Sequence, residues 1–218
     1  ASVSDEEHAA LALEPIRIVV VGQTGAGKSS IVDRLKDGLG AEVDILPSTQ
    51  TSTVYSALIN ETEVRIVDLR GLDGKPNTDK EMLNEMTQAD LVLWVLKANQ
   101  SARDLDKQLN NKFGLFYADP KNVSSRKPLV IAVVNQVDKL KPIADWQPPY
   151  DLENPSGAKA NIIAQAVTYN QEILQSDITL ALSIADNKEH LGVEALKQTL
   201  VGGIAEANNV QRNRQRVE

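Results

Sequence analysis

The run Gly22-Gln23-Thr24-Gly25-Ala26-Gly27-Lys28-Ser29 fills every fixed position of the pattern G-x-x-x-x-G-K-[ST], a loop whose chemistry is the wrapping of phosphate. Glycines let the backbone curl until successive N–H groups face one anion, and the positive end of a following helix adds to that field. In such a loop Lys28 reaches the β- and γ-phosphates and the Ser29 hydroxyl ligates Mg²⁺. Gln23, Thr24, Gly25, Ala26, Gly27, Lys28, Ser29 and Ser30 are therefore the candidate phosphate-contacting residues. The bland alternative, a glycine-rich turn without a ligand, is disfavoured by context. Residues 16–21 before the loop form an apolar run that reads as a buried strand, and residues 30–35 after it read as helix.

The elements that must hold such a loop are legible along the rest of the chain. Residues 54–59 and 64–67 flank the polar gap Asn60-Glu61-Thr62-Glu63 and predict an antiparallel hairpin. Residues 91–96 are almost continuously apolar, as expected of a strand covered on both faces, and 129–134 and 178–182 repeat that character. Helical periodicity marks 80–86, 102–116, 158–174 and 193–207. Strands alternating with helices predict a mostly parallel sheet with helices on both faces. The stretch 139–156, with Trp146-Gln147-Pro148-Pro149-Tyr150, reads as a long loop or lid, and the polar residues 211–218 as a fraying end. Residues 1–14 read as a short helix or loose arm, 15–208 as the domain, and 209–218 as a polar tail.

Composition narrows the classes of function. The chain has 218 residues, of which 42% are hydrophobic, enough for one generous core. Its formal net charge of −7 argues against a broad nucleic-acid-binding surface. There are no cysteines, so disulfides and thiol catalysis are excluded, and His8 and His190 lie in unrelated contexts. No apolar run approaches the ~20 residues that span a bilayer. These features imply a cytoplasmic protein, with peripheral membrane association only through a region outside this chain.

Further along, Asn135-Gln136-Val137-Asp138 closes an apolar strand. It resembles the N-K-x-D guanine motif of Ras-like and Era-like P-loop GTPases, with Gln136 in place of the Lys. One carboxylate at Asp138 can accept from both the N1–H and the exocyclic amine of guanine, donors that adenine does not pair in this way. The resemblance implies a three-layer Ras-like α/β G domain: six strands, one of them antiparallel, and about five helices, binding GTP/GDP with Mg²⁺. It also implies that Asp68-Leu69-Arg70-Gly71 is the D-x-x-G element, with Asp68 on the metal through water and the Gly71 N–H at the γ-phosphate. Ser183-Ile184-Ala185 then stands for the family's last guanine loop, where Ile184 offers a backbone N–H to the base. A switch threonine that closes on Mg²⁺ falls on Thr51, with Thr49 a close second. The metal set is thus Ser29, Thr51 and Asp68, and the catalytic set Lys28, Thr51 and Gly71. The phosphate loop and the run 89–97 look most like bacterial YfjP-type members of the Era-like group, and the loop is also similar to those of septins and AIG1/Toc GTPases.

Departures from that pattern carry their own expectations. Gln136 lowers guanine affinity relative to a Lys, although its stem still covers the ring. Leu72 occupies the position where Ras-like enzymes place the Gln that orients the attacking water, so unaided hydrolysis is slow. Gly25 stands where potassium-activated relatives carry Asn, so strong potassium activation is not expected. Arg70 reads as a solvated charge on a switch loop rather than an arginine aimed at the phosphates, and Trp146 as closing over its own loop rather than docking a partner. The leading expectation is a Mg²⁺-dependent GTPase switch. Its rivals are a nucleotide-dependent homodimerising assembly module with incidental hydrolysis, and an ATP-using P-loop enzyme if Asp138 touches no base.

Overall fold

The structure is a computed structural model that describes residues 14–38, 43–46, 52–59, 61–100, 102–141, 157–185 and 188–217. Its elements run β1 (Ile16–Gly22), α1 (Lys28–Gly38), β2 (Val43–Leu46), β3 (Ser52–Ile59), β4 (Thr62–Leu69), α2 (Pro76–Thr87), β5 (Leu91–Lys97), α3 (Asp104–Ala118), β6 (Leu129–Asn135), α4 (Gly157–Leu174), β7 (Ile178–Ala181), β8 (Ser183–Ala185), β9 (Lys188–Leu191) and α5 (Val193–Val217). The main sheet has seven strands in the order β2-β3-β4-β1-β5-β6-β7. β3 runs antiparallel to β2 and β4, and all other neighbours pair in parallel. The Ras-like α/β fold with one antiparallel strand is as expected.

Alternation along the strands sorts the core into two layers. Ile16, Ile18, Val20, Leu91, Leu93, Val95, Ile131 and Val133 face α1 and α5. Val19, Val21, Val92, Trp94, Leu96, Val130 and Ala132 face Met82 and Met86 of α2, Leu109 and Phe113 of α3 and Leu174 of α4. Residues 91–96 are all buried, which is why that run carries no polar alternation.

Three details correct the sequence expectation. The sheet has a seventh strand, β2, that the sequence does not announce. It has four residues, sits at the sheet edge, and leaves Ile45 73% exposed, so neither length nor burial writes a strand pattern there. β7 is followed not by a plain loop but by β8, which pairs with β9 in a separate small hairpin. Finally, α5 continues past residue 207 to Val217. Its buried stripe is Val193, Leu196, Leu200, Ile204 and Ala207, at helical spacing. Beyond Ala207 that stripe ends while the helix does not, so residues 211–217, read as part of a fraying end, are helical.

Candidate functional site

Residues 22–29, 68–71, 135–138 and 183–185 lie at the carboxyl ends of β1, β4, β6 and β7, the edge where open α/β sheets bind ligands. β1 ends at Gly22 and α1 begins at Lys28, with Ala26 N donating to Gln23 O at 3.2 Å to close the intervening turn. Gly27 has φ +88°, and a Cβ there would lie 2.3 Å from Asn135 Nδ2. The loop needs that glycine twice over, for its left-handed backbone and for the approach of the Asn. The Lys28 ammonium donates to Asp68 Oδ1 and to the Leu69 carbonyl, tying the loop to the end of β4. The exposed Ser29 side chain stands in the first turn of α1.

At the end of β4, Gly71 packs against the phosphate loop so tightly that a Cβ on it would lie 2.2 Å from Thr24 Oγ1. The next residue departs from its expected surroundings. Leu72 is 4% exposed and belongs to the core beside Val19, Val21, Leu69 and Met82, while its backbone N donates to Gly22 O at 3.0 Å. Its side chain is therefore turned away from the loop altogether. Arg70 is exposed and pairs with Asp73 at 3.2 Å, in keeping with a solvated charge. Asp73 also accepts from Lys75 N at 2.9 Å and Thr78 Oγ1 at 3.2 Å. The Lys75 N–H, more than the Thr78 and Arg70 contacts, holds its carboxyl below the usual range.

The base side is assembled by Asn135, which is fully buried. Its Nδ2 donates to Ala26 O at 3.0 Å, and its Oδ1 accepts from Ile184 N at 3.2 Å. One amide thus clamps the phosphate loop to β8. Gln136 Nε2 donates to Gly25 O at 3.2 Å, and Ser183 Oγ donates to Asp138 Oδ1 at 2.7 Å. Lys28, Asp68, Gly71, Asn135, Gln136, Asp138, Ser183 and Ile184 stand together around the loop, but the Ile184 N–H, expected to face the base, is donated instead to Asn135 Oδ1. Thr49 and Thr51, the switch candidates, lie outside the described residues, as do Trp146 and its neighbours.

Two supports were not foreseen. Lys159 of α4, 0% exposed, donates to Asp138 O at 3.0 Å and to Leu140 O. A buried lysine is costly unless fully hydrogen-bonded, and here it fixes the turn that carries Asp138. The only signal in the sequence is its place on the apolar face of a helix, four residues before Ile163. Lys159→Met is expected to cost about 2 kcal/mol of stability, because carbonyls in a buried turn lose their donor. A lowered urea midpoint checks this; an unchanged midpoint would mean those carbonyls find another donor. The second support is Asp106 of α3, 1% exposed. It accepts from Gln23 Nε2 at 2.5 Å and Trp94 Nε1 at 2.9 Å, and Gln100 Nε2 donates to Gln23 Oε1 at 3.0 Å. Nearby Arg103 is pulled below its ordinary value by burial, an effect that the Asp106 charge opposes. Gln23 therefore anchors the loop to α3 with its side chain.

The donor set fits a Mg²⁺-bound nucleotide. Among the described residues no group of three or more His, Cys, Asp or Glu could hold a metal by itself. A divalent ion here would depend on the Ser29 hydroxyl, the Asp68 carboxylate and phosphate oxygens, as Mg²⁺ sites on nucleotides do. Gly25, with φ +85° and nothing within 4 Å of where a Cβ would stand, leaves the loop open on one side.

A phosphate loop, an Asp at the end of the adjoining strand and an Asn–Asp pair clamped to that loop are the parts of a P-loop GTPase G domain. The match to a known protein family agrees. The chain belongs to the 50S ribosome-binding GTPase family, which matches residues 17–136. It is 31% identical over 134 residues to the uncharacterized protein YfjP of Escherichia coli strain K12, covering 59% of this chain and 44% of that protein. It is 25% identical over 183 residues to the tRNA modification GTPase MnmE of Mycoplasmoides gallisepticum, covering 81% of this chain and 36% of MnmE. The chain thus spans less than half the length of these relatives. Among solved structures, the G domain of the Thermotoga maritima FeoB iron transporter is similar with a TM-score of 0.49 and 16% identity, covering 88% of this chain and 99% of that one.

Proposed function

We propose that this domain is a Mg²⁺-dependent switch that binds GTP, hydrolyses it slowly to GDP and phosphate, and signals through the segment around Gly71. The observation that carries the reading is the Asn135 clamp. One buried amide joins the phosphate loop at Ala26 to β8 at Ile184, so the phosphate and base ends form one preorganised surface. Asp138, held by Ser183, presents the carboxylate that suits guanine. Lys28 would exchange its present acceptors for the β- and γ-phosphates, and Asp68 would turn to the metal with Ser29. Bound there, Mg²⁺ supplies neutralisation of the phosphate charge.

Slow turnover is supported by Leu72 and Arg70. Leu72 is buried in the core and offers no polar group to a water, and Arg70 is engaged with Asp73. Gly71 touches Thr24, so a γ-phosphate entering the loop would press on this segment, and its loss would release it. Titration with fluorescent GDP, GTP and ATP analogues in Mg²⁺ tests the reading. Guanine nucleotides are expected to bind at least about a hundredfold more tightly than ATP, the magnitude of a doubly hydrogen-bonded carboxylate. Comparable ATP affinity would sink it.

A further inference from the structure

The position after Asn135 carries an amide where the resembling motif carries an ammonium, and the structure surrounds that amide in an unusual way. Gln136 is 7% exposed and left-handed, with φ 63° and ψ 38°. A non-glycine residue keeps that conformation where its surroundings over-determine it. The side chain is held at both ends. Nε2 donates to Gly25 O at 3.2 Å, and Oε1 accepts from Lys139 Nζ at 3.0 Å. A flipped amide would set two oxygens face to face at Gly25 and an NH₂ group against an ammonium at Lys139, so one orientation alone satisfies both contacts. Lys139 is also fixed near its partner by the backbone, since its N donates to Gln136 O at 3.0 Å in the turn Val137–Lys139.

We propose that Lys139 is a positioning residue for nucleotide binding: it locks the Gln136 amide against the phosphate loop and supplies, one side chain removed, the positive charge that position 136 lacks. The proposal rests on the guanine-nucleotide reading above. It makes Gln136 and Lys139 one functional unit, and it predicts a sign change between their substitutions. Gln136→Lys alone sets two ammoniums against each other where an amide and an ammonium now meet, which is repulsive. With Lys139→Met in the same chain, the new lysine is free to donate to Gly25 O.

Dissociation of a fluorescent GDP analogue in Mg²⁺ tests this. Lys139→Met is expected to speed release about three- to tenfold, the scale of one typical net hydrogen bond. Its melting temperature should fall only slightly, because Lys139 is exposed and water can take the place of its ammonium at Gln136 Oε1. Gln136→Lys is expected to release faster than wild type, and the double variant to return to within about twofold of it. Release from Lys139→Met within about twofold of wild type would overturn the proposal, as would a double variant no slower than Lys139→Met. In both cases the wild type binds the analogue and the guanine reading stands. A wild type that binds no guanine nucleotide removes that reading, and the proposal with it.

Discussion

Replacing Asp138 with Asn is expected to cost about a hundredfold or more in GDP affinity and to make xanthosine diphosphate the preferred ligand. The carboxylate accepts from both guanine donors, and hydrogen bonds to a charged acceptor contribute roughly 1.5–3 kcal/mol each. An Asn keeps one acceptor but turns an NH₂ group toward the guanine amine, donor against donor. Xanthine carries a carbonyl at that ring position, so the same NH₂ group gains a partner. The substitution should leave the turn intact. Ser183 can still donate to Oδ1, with which it now makes a 2.7 Å bond. The backbone carbonyl of residue 138 remains held by Lys159. Because Ser183 holds the side chain and Lys159 the backbone of residue 138 before any ligand arrives, little ordering cost offsets the specificity it confers. Equilibrium titration with GDP, xanthosine diphosphate and ADP decides the matter. GDP affinity within about twofold of wild type would mean that Asp138 does not read the base, and the ATP-using alternative would return.

What could be read from the sequence was whatever the chain writes locally. The run 91–96 is wholly buried and has to be apolar on both faces, so strand and depth are visible together. Gly22 to Ser29 is visible because a backbone loop around phosphate demands particular residues at fixed offsets. The edge strand β2 carries no legible pattern because only β3 pairs with it and its Ile45 is exposed. Asp106 and Lys159 escaped for a different reason. Gln23 and Asp106 are 83 residues apart, and Lys159 lies 21 residues beyond Asp138. Such pairs are made by the topology, and neither partner has a local pattern that names the other. Leu72 is legible by residue type as a side chain with no polar group to offer a water. That its side chain lies in the core follows from the way Leu72 N bonds Gly22 O, a contact between two chain segments that no spacing announces.

Lys28→Met is the other substitution with a large expected effect, about a hundredfold to a thousandfold loss of GTP turnover, the cost of deleting one preorganised charge at a developing anion. Lys28 here gives its ammonium to Asp68 and to the Leu69 carbonyl, with only 12% and 18% of the two charged side chains exposed. The pair is therefore partly buried, and neither group is idle. A phosphate that draws Lys28 away also releases Asp68, so the same event that engages the lysine frees the carboxylate for a metal. Lys28→Met removes both halves of that exchange, whereas Asp68→Asn leaves Lys28 an acceptor at the end of β4 and removes only the carboxylate charge. The two variants should consequently differ in the nucleotide-free protein. Lys28→Met strands a partly buried carboxylate at a cost of about 1–3 kcal/mol, and Asp68→Asn costs less. Both should hydrolyse GTP poorly. Single-turnover hydrolysis at saturating GTP, with urea unfolding of each variant, separates chemistry from folding. A Lys28→Met protein that stays folded and hydrolyses within about tenfold of wild type would take the lysine out of the transition state.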